Sequence, residues 1–403
     1  MNGISLRGYR MNNGKNSRID YGIILSVMLL AIIGLTTLYS TTSMIQGGSI
    51  RTTLMQVGWY AVGILLAGVI MLFDSKQLWK LTDILYIGGI VLLIVTLFIY
   101  DRDLAASQGA KSWIRIPLIN FTFQSSEFVK IPYLLKLAKE VTKHNNKVIH
   151  KTNRSDFVLF FKLIGYSLPL FALIMLQNDL GTTLVYLAIM SGIILVSGIR
   201  WRILLPLIGT VLVLGLLVIY LAVYHRELLK DLFGVKEYQF QRIDTWLDPY
   251  HDISSSSYQV TQAFKAIGSG GVFGKGLGVS EVFVPVRGSD MIFATIGENF
   301  GFIGSSFLIF VYFVLIYNMI RVVYDTKNEF YAYIAVGVIM MIVFHVLENI
   351  GMNIGLLPVT GIPLPFVSQG GSALVGNMMG IGLIMSMRFH HHSYYFESDE
   401  SRF

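Results

Sequence analysis

The sequence predicts an all-α polytopic membrane protein of about ten transmembrane helices, on three observations. First, 54% of the 403 residues are hydrophobic and only 14% are charged, whereas soluble domains carry about 25% charged residues. Second, the apolar residues gather in segments that are mostly about 20 residues long, and a helix of that length crosses a hydrocarbon core of about 30 Å. Third, these segments are unbroken rather than alternating in polarity, which favours helices over strands.

Nine strongly apolar segments and one more polar segment make up the ten expected spans. The nine cover residues 21–41, 54–73, 81–100, 156–176, 180–198, 203–224, 291–320, 330–349 and 366–387. The tenth, residues 124–140, carries several charged side chains. We count it as a span because without it the basic residues of 136–154 would lie on the opposite side of the membrane from the other basic loops. No long soluble domain interrupts the chain, so we expect a single membrane domain over residues 1–403.

The basic residues predict the orientation of the chain in the membrane. With residues 1–20 in the cytoplasm, 18 Lys and Arg residues fall in cytoplasmic segments and four fall in the short outer loops. Such a split follows the rule that positive charge stays inside. It predicts a cytoplasmic N-terminus (1–20), a cytoplasmic C-terminal tail (388–403) and a large extracytoplasmic loop (225–290) between spans 7 and 8.

Composition and spacing exclude several classes of function. The net charge of +7 is spread over the cytoplasmic loops, without a basic stripe and interleaved aromatic residues, so no nucleic-acid partner is expected. The chain has no cysteine and therefore no disulfide or thiolate chemistry. The glycine-rich stretch at 266–278 does not have the spacing of a phosphate-binding P-loop, because Ser269 and Gly276 occupy two of its motif positions. Turns and close packing of the main chain are the favoured interpretation of these glycines.

Asp290 stands where the predicted outer loop meets the span 291–320. An Asp at that position has two compatible interpretations. It caps the N-terminus of the helix, or it is a base at the membrane surface, where a lipid-linked substrate would meet it. A second unusual region, residues 348–372, is dense in Gly and Pro. Irregular backbone near membrane depth must be buried in protein or line a wet cavity, so this region either binds anionic oxygens through its N–H groups or only packs helices together.

Six motifs, in order along the chain, carry a resemblance to a known family. They are GAKSW (109–113), FQSSEFVK (123–130), QNDLGT (177–182), AIGSGG (266–271), SDMIFA (289–294) and the Gly- and Pro-rich region from Asn349 to Ser372. With these motifs the chain resembles the SEDS family of bacterial membrane proteins for shape, elongation, division and sporulation, and its elongation (RodA-like) branch more than its division branch. The family usually has Pro at positions 125 and 178, Thr or His-Thr at 288–289 and Tyr at 369, where this sequence has Ser125, Asn178, Gly288-Ser289 and Gln369.

The resemblance implies a peptidoglycan glycosyltransferase in the bacterial plasma membrane. Members of the family join lipid II units into β-1,4 glycan strands, release undecaprenyl diphosphate, and work with a class B penicillin-binding protein that acts as a transpeptidase. Asp290 matches the acid of the family's outer loop, so it is the candidate general base that takes the proton of the attacking sugar hydroxyl. The donor carbon is expected to invert, and no covalent enzyme intermediate is needed.

The remaining candidate site residues are expected to bind the substrate. Lys130 and Arg242 are the candidate cations for the diphosphate leaving group, with Lys111 nearer the rim. The full set is Trp113, Arg115, Gln124, Glu127, Lys130, Asp179, Arg242, Ser368 and Ser372. No dedicated cluster of metal ligands and no certain cofactor is expected. A divalent cation that bridges the diphosphate and Asp290 or Asp179 stays open.

Several of these residues also have structural interpretations. Glu127 and Lys130 lie three apart on one helix face and could form a structural ion pair. Asp179 starts a span and could be an N-cap, and Trp113 could be an interfacial anchor. His345, alone in an apolar helix, is interpreted as a packing residue.

Two other functions compete with glycan polymerisation. A flippase for lipid II would also have a polar cavity, but it should carry polar groups along its whole path. An enzyme is favoured because the acid, the cations and the Gly- and Pro-rich loops concentrate at the outer face, with few ionisable residues expected in the inner halves of the helices. A scaffold for a transpeptidase is compatible with enzyme activity as a second role.

Overall fold

The structure is a computed structural model that describes residues 18–45, 50–116, 121–148, 150–234, 237–250, 252, 257–326 and 328–400. Within these ranges the chain forms fourteen α-helices and one antiparallel hairpin of two strands. They are α1 (Tyr21–Tyr39, continued by a π-helical segment Ser40–Ile45), α2 (Arg51–Met71), α3 (Ser75–Phe98), α4 (Arg102–Gln108), β1 (Trp113–Ile116), β2 (Phe121–Gln124), α5 (Ser125–Lys147), α6 (Asn153–Leu176), α7 (Leu180–Val196), α8 (Trp201–Tyr224), α9 (Arg226–Phe233), α10 (Glu237–Leu247), α11 (Tyr258–Ser269), α12 (Ile292–Thr326), α13 (Glu329–Asn353) and α14 (Gly371–Glu400).

The long helices confirm the predicted fold class. Among the described residues, eight helices are long and apolar enough to cross a membrane, namely α1, α2, α3, α6, α8, α12, α13 and α14. The apolar helix α7 is shorter, with 17 residues, and α5 corresponds to the polar tenth segment. Together they account for ten spans, and residues 225–290 lie between the seventh (α8) and the eighth (α12).

The most polar predicted span, α5, lies at the centre of the helix bundle. It packs against α3, α6, α7, α13 and α14, and most of its residues are buried. Its charges face partners inside the protein rather than lipid, since Lys136 Nζ lies 2.7 Å from oxygens of both Asp83 on α3 and Glu140. A hydropathy average counts each charged residue as if it faced lipid. It therefore underestimates the ability of a segment to span the membrane when the charges of that segment are paired inside the protein.

Polar side chains define where several helices begin. Asp74 and Gln77 form a capping box at the start of α3, and Asn328 caps α13. Asp179 Oδ1 accepts a hydrogen bond from Thr182 N at 3.1 Å at the start of α7. Each cap satisfies an N–H group that the helix leaves without a partner. The N-cap interpretation of Asp179 is therefore confirmed.

The glycine-rich stretch packs against a kink in α12. Gly301 interrupts the helix with φ of 64°, a left-handed conformation that favours glycine. A Cβ on Gly270 would lie 2.0 Å from Gly297 O, and one on Gly274 would lie 2.2 Å from Asn299 O. These glycines therefore let two main chains touch, which confirms the close-packing interpretation.

We call the end of the bundle that carries residues 225–290, the β1–β2 hairpin and residues 354–370 the loop face. The irregular segment 354–370 is held there by side chains of spans. Tyr60 and Tyr312 donate to the carbonyls of Phe366 and Pro365, and Gln56 Nε2 donates to Ser368 O at 3.2 Å. The segment is thus enclosed by protein, as irregular backbone at membrane depth must be.

Both predicted termini extend beyond what can be described. Residues 1–17 of the predicted N-terminal segment and residues 401–403 of the predicted tail lie outside the described ranges. The rest of the predicted tail continues the helix of the last span, because α14 runs from Gly371 to Glu400.

Candidate active site

The segment that precedes α12 is tied to residues 354–370 through its main-chain carbonyls. Gln369 N donates to Gly288 O at 2.8 Å, and Ser368 Oγ donates to Ser289 O at 2.7 Å. Ser368 Oγ also accepts from Leu364 N at 2.8 Å, so one hydroxyl bridges the two segments. Ser368, which the sequence predicts as a substrate residue, therefore braces the loop that carries Asp290.

Two amides from α13 hold the carbonyl of Asp290. Asn349 Nδ2 donates to Asp290 O at 2.8 Å, and Asn353 Nδ2 donates to the same oxygen at 3.1 Å. Asn349 Nδ2 also donates to Ile362 O at 2.8 Å. Both asparagines are fully buried. These contacts use only the main chain of Asp290, so they fix its position and leave its carboxyl group for chemistry.

Asp290 is half-buried, and its carboxyl group lies beside Gly361. A Cβ added to Gly361 would lie 3.4 Å from Asp290 Oδ2. Burial raises the pKa of Asp290 to about 6, against a hydrogen bond from Ser289 and the positive charge of Arg242 on α10, which favour the carboxylate. Among the described residues, no backbone N–H of α12 donates to this carboxylate, so the N-cap interpretation is not supported. An acid with this pKa is ionised at neutral pH and is still basic enough to take a proton.

A second polar group, which we call the lysine cluster, consists of Glu127 and Lys130 on α5 and His345 on α13. Lys130 Nζ lies 2.7 Å from Glu127 Oε1 and 3.2 Å from His345 Nε2. His345 Nδ1 lies 2.6 Å from Met341 O, so Nδ1 carries the proton and Nε2 accepts from the ammonium group. Lys130 is only 1% exposed. The ion-pair interpretation of Glu127 and Lys130 holds in this conformation, whereas His345 is a polar partner rather than a packing residue.

The helix α13 connects the lysine cluster to the Asp290 loop. His345 and Asn349 are four residues apart, which places them on one helix face about 6 Å apart along the axis. Between them, Glu348 Oε1 accepts from Thr360 Oγ1 at 2.9 Å. The same helix therefore positions the lysine cluster, the Asp290 main chain and the segment 354–370.

Four further predicted substrate residues meet where the hairpin joins α5. Gln124 Nε2 donates to Asp179 Oδ2 at 2.6 Å, and Gln124 N donates to Ser372 Oγ at 2.9 Å. Trp113 is the cross-strand partner of Gln124 in the hairpin. The structure thus brings together the starts of α5, α7 and α14 at the loop face.

The predicted basic residues have different surroundings. Arg115 pairs with Asp101 at the start of α4, and Lys111 Nζ lies 5.4 Å from the centre of the Tyr100 ring. Among the described contacts neither reaches Asp290. Arg242 is the cation whose charge acts on Asp290.

The sequence reasoning missed the two asparagines that hold Asp290. Asn349 and Asn353 lie within a matched motif and are four residues apart in an apolar helix. A pair of amides on one face of such a helix needs hydrogen-bond partners, because an unpaired buried polar group is costly. That signal indicated a polar contact, although it could not identify the partner.

A second charged cluster lies towards the other end of α5. Lys136 and Lys139 both contact Asp83, and Glu140 pairs with Lys136 and Lys162. The expectation of few ionisable residues in the inner halves of the helices is therefore wrong for α5. Each carboxylate of the cluster has two lysine partners within the protein.

The loop face carries the groups that transfer of a sugar to a hydroxyl group would need. Asp290 can accept a proton, Arg242 supplies positive charge nearby, and the segment 354–370 offers a rigid main chain. Within the described ranges, no three His, Asp or Glu side chains are grouped as ligands of a metal ion.

Comparisons with known proteins give one consistent result. The model of the family described as "Cell cycle protein" (FTSW_RODA_SPOVE) matches residues 21–393. The chain is 33% identical over 341 residues to "Peptidoglycan glycosyltransferase MrdB" of Helicobacter pylori, with 83% of this chain and 82% of the relative covered. It is 30% identical over 377 residues to "Probable peptidoglycan glycosyltransferase FtsW" of Hydrogenovibrio crunogenus, with 91% and 90% covered.

A similar fold occurs among solved structures. One chain from a structure described as "Structural coordination of polymerization and crosslinking by a peptidoglycan synthase complex" matches with a TM-score of 0.75 and 24% identity. The match covers 94% of this chain and 98% of that chain. At this identity the likeness supports the ten-span fold rather than any particular residue role.

Proposed function

Since the chain belongs to the cell cycle protein family FTSW_RODA_SPOVE and is a peptidoglycan glycosyltransferase, we propose that it joins lipid II units into β-1,4 glycan strands. The C4 hydroxyl of the acceptor sugar attacks the anomeric carbon of the donor, and the bond to the undecaprenyl diphosphate breaks. An α-linked diphosphate leaves as a β bond forms, so the carbon inverts in one displacement. One base is then sufficient, and no covalent enzyme intermediate forms.

The observation that carries this proposal is the position and the acidity of Asp290. A sugar hydroxyl is a weak nucleophile, so a base must remove its proton as the new bond forms. The main chain of Asp290 is held by Asn349 and Asn353, and burial raises its pKa to about 6. A fixed base with a pKa near the working pH is suited to this proton transfer.

The diphosphate leaving group develops negative charge, which a nearby cation stabilises. The positive charge of Arg242 lowers the pKa of Asp290 and so favours its carboxylate form. A diphosphate bound beside Asp290 would be attracted by the same guanidinium group. Lys130 is enclosed by Glu127 and His345 in this conformation. Lys130 therefore holds α5 against α13, and it reaches a diphosphate only when the lysine cluster opens.

The chain is a multi-pass membrane protein, and its proposed orientation places the loop face outside the cytoplasm. Both termini are then cytoplasmic, in the plasma membrane of a bacterium. The distribution of basic residues, 18 in the segments assigned to the cytoplasm and four in the short outer loops, supports this orientation. Lipid II presented on the outer leaflet would reach Asp290 without crossing the bundle.

A class B penicillin-binding protein is the proposed partner, and elongation of the cell wall the proposed process. The solved chain with the TM-score of 0.75 comes from a complex that coordinates polymerization and crosslinking, and a transpeptidase is the enzyme that crosslinks. Purification from native membranes should retain such a transpeptidase, and adding it to the isolated protein should raise the polymerisation rate. Full activity that no transpeptidase changes would count against the partnership.

The deciding experiment is a polymerisation assay in liposomes with labelled lipid II, scored for glycan polymer on a gel. Asp290→Asn keeps the shape of the side chain but cannot accept the proton, so it should abolish polymer. Asp248→Asn is the matched control, since it neutralises an exposed acid of the same loop. Polymer from Asp290→Asn at the rate of the unmodified protein would remove Asp290 from the role of base.

The same liposomes separate a polymerase from a flippase and test the divalent cation. Transport of lipid II between leaflets should continue in Asp290→Asn if that residue only serves bond formation. Loss of transport together with polymer would favour the flippase. A chelator lowers the rate only if a cation bridges the diphosphate to Asp290 or Asp179.

A further inference from the structure

Three large apolar side chains of the glycine-rich loop are exposed. Val272 is 55% exposed, Phe273 is 82% exposed and Leu277 is 46% exposed. We call these three residues the anchor patch. Single exposed apolar residues are ordinary, but three within six positions of one tightly built loop form a patch that favours an apolar surrounding.

Main-chain hydrogen bonds fix the height of this patch relative to the membrane. Phe302 N donates to Gly271 O at 2.9 Å, and Ile303 N donates to Val272 O at 3.1 Å. From residue 302 the helix α12 continues without a charged residue until Arg321, a rise of about 28 Å at 1.5 Å per residue. That length matches a hydrocarbon core of about 30 Å, so residues 302–303 and the start of the patch lie at its edge.

The patch continues the lipid-facing surface of the same span. Phe302 is 70% exposed and Ile303 is 51% exposed, and further exposed apolar residues of α12 follow, including Phe310 and Phe313. The anchor patch therefore lies next to exposed apolar side chains of the span, because Val272 is hydrogen-bonded to Ile303 through the main chain.

The loop is held rigidly, and its charges are compensated. Lys275 Nζ lies 2.6 Å from Glu281 Oε2 and 3.9 Å from Glu298 Oε1. Because these charges are paired, the described residues of the loop have no free charge here that would attract a charged protein surface. A compensated loop with outward apolar side chains suits insertion among lipid chains.

We propose that the anchor patch inserts into the acyl-chain edge of the leaflet on the loop face. The insertion has a direct connection to the reaction site. Glu298 Oε1 accepts from the N–H groups of Glu281 at 2.9 Å and Val282 at 3.1 Å, and Glu298 Oε2 lies 3.5 Å from Arg287 Nη2. Arg287 stands three residues before Asp290, so the membrane itself sets the height of Asp290 above the lipid surface. This surface goes beyond the proposed reaction, because it concerns how the enzyme sits in the bilayer.

Single-cysteine labelling tests the insertion directly, because the chain has no cysteine of its own. Nitroxide labels are placed at Phe273→Cys and Leu277→Cys, with Ile303→Cys as the lipid reference and Lys265→Cys, an exposed charged position on α11, as the aqueous reference. Power-saturation spectroscopy in liposomes compares collision with oxygen, which concentrates in lipid, and with a water-soluble nickel chelate. All four side chains are exposed, so a label at each position can be accommodated. Thermal melting verifies that each labelled variant is folded.

The expected result is a graded depth. The label at 273 should collide mainly with oxygen, like the label at 303. The label at 277 should be shallower, because Gly276 N bonds to Asn299 O, on the far side of the kink from the bilayer. A label at 273 that collides with the nickel chelate as readily as the label at 265 overturns the proposal. Protection of position 273 only after a transpeptidase is added overturns it too, and assigns the patch to a protein partner.

The result is independent of the polymerisation assay. Depth is measured without substrate, so an inactive protein with an inserted patch would refute the proposed reaction alone. An active protein whose label at 273 is aqueous would refute the anchor alone.

Discussion

Asp290→Asn should stabilise the protein at neutral pH even as it removes the proposed base. Burial raises the pKa of Asp290 from 3.8 to about 6, so the folded protein binds this proton more tightly than the unfolded chain. The carboxylate therefore destabilises the folded state above pH 6, and this effect disappears as the pH falls towards 3.8. A pKa difference of about 2 corresponds to about 3 kcal/mol at full effect. Because Asp290 keeps partial contact with solvent, we expect about 1 to 3 kcal/mol.

The assay is thermal unfolding in detergent at two pH values. Asparagine does not ionise, so Asp290→Asn should unfold at a higher temperature than the unmodified protein at pH 7.5, and at nearly the same temperature at pH 4. Asp248→Asn, in an exposed position, should change neither value. A loss of stability at pH 7.5, or an equal shift at both pH values, would refute the conclusion that burial raises this pKa.

The same pKa predicts the pH dependence of polymerisation. With a pKa of about 6, roughly nine-tenths of Asp290 is ionised at pH 7 and roughly one-tenth at pH 5, since each pH unit is a factor of ten. The rate should therefore fall about tenfold between pH 7 and pH 5, and by nearly tenfold per pH unit below pH 5. A rate that stays constant down to pH 5 would show that the base has an ordinary acidity or is another group.

Three further variants test the supports of the site. Lys130→Met should cost about 3–5 kcal/mol of stability by leaving a buried carboxylate unpaired; with Glu127→Gln added, recovery of both melting temperature and polymer would remove Lys130 from catalysis. Asn349→Ala loses two hydrogen bonds, each worth about 1 kcal/mol, and should lower kcat more than it raises KM; unchanged kcat would refute its positioning role. Gly301→Ala forces a side chain into a backbone conformation (φ 64°, ψ −159°) that is essentially restricted to glycine, at a cost of about 1–3 kcal/mol, and places its Cβ 2.3 Å from Gly274 N. It should lower the melting temperature, whereas Gly209→Ala, with open space around it, should not.

The spans could be predicted from the sequence because lipid imposes a simple rule. A segment that faces acyl chains must be apolar over about 20 residues, and α8 follows that rule closely. The helix α5 does not, because its neighbours are other helices, and Lys136 and Glu140 neutralise each other there. Charge distribution along the whole chain, rather than hydropathy of the segment, is what identified α5 as a span.

The identity of Asp290 as a candidate could also be predicted, but its supports could not. They are contacts between side chains and main-chain carbonyls from distant parts of the chain, such as Asn349 Nδ2 to Asp290 O and Ser368 Oγ to Ser289 O. A main-chain carbonyl has no residue type, so no motif or spacing records which one will be bound. The role of His345 was hidden because its partner is a side chain 215 positions away, that of Lys130, and spacing along the chain does not show which distant side chains meet.

The buried ion pair of Glu127 and Lys130 contacts the same face of α13 that holds the Asp290 loop. That shared face gives a reason for an ion pair in the centre of the bundle. Such a pair adds little stability by itself, because desolvation offsets the attraction of the two charges. The pair does give Lys130 a fixed direction, towards His345 on α13. His345, Asn349 and Asn353 follow at intervals of four residues, so they lie along one helix face. Any displacement of that face would move the lysine cluster and the Asp290 loop together, so the two cannot shift independently while α13 stays helical.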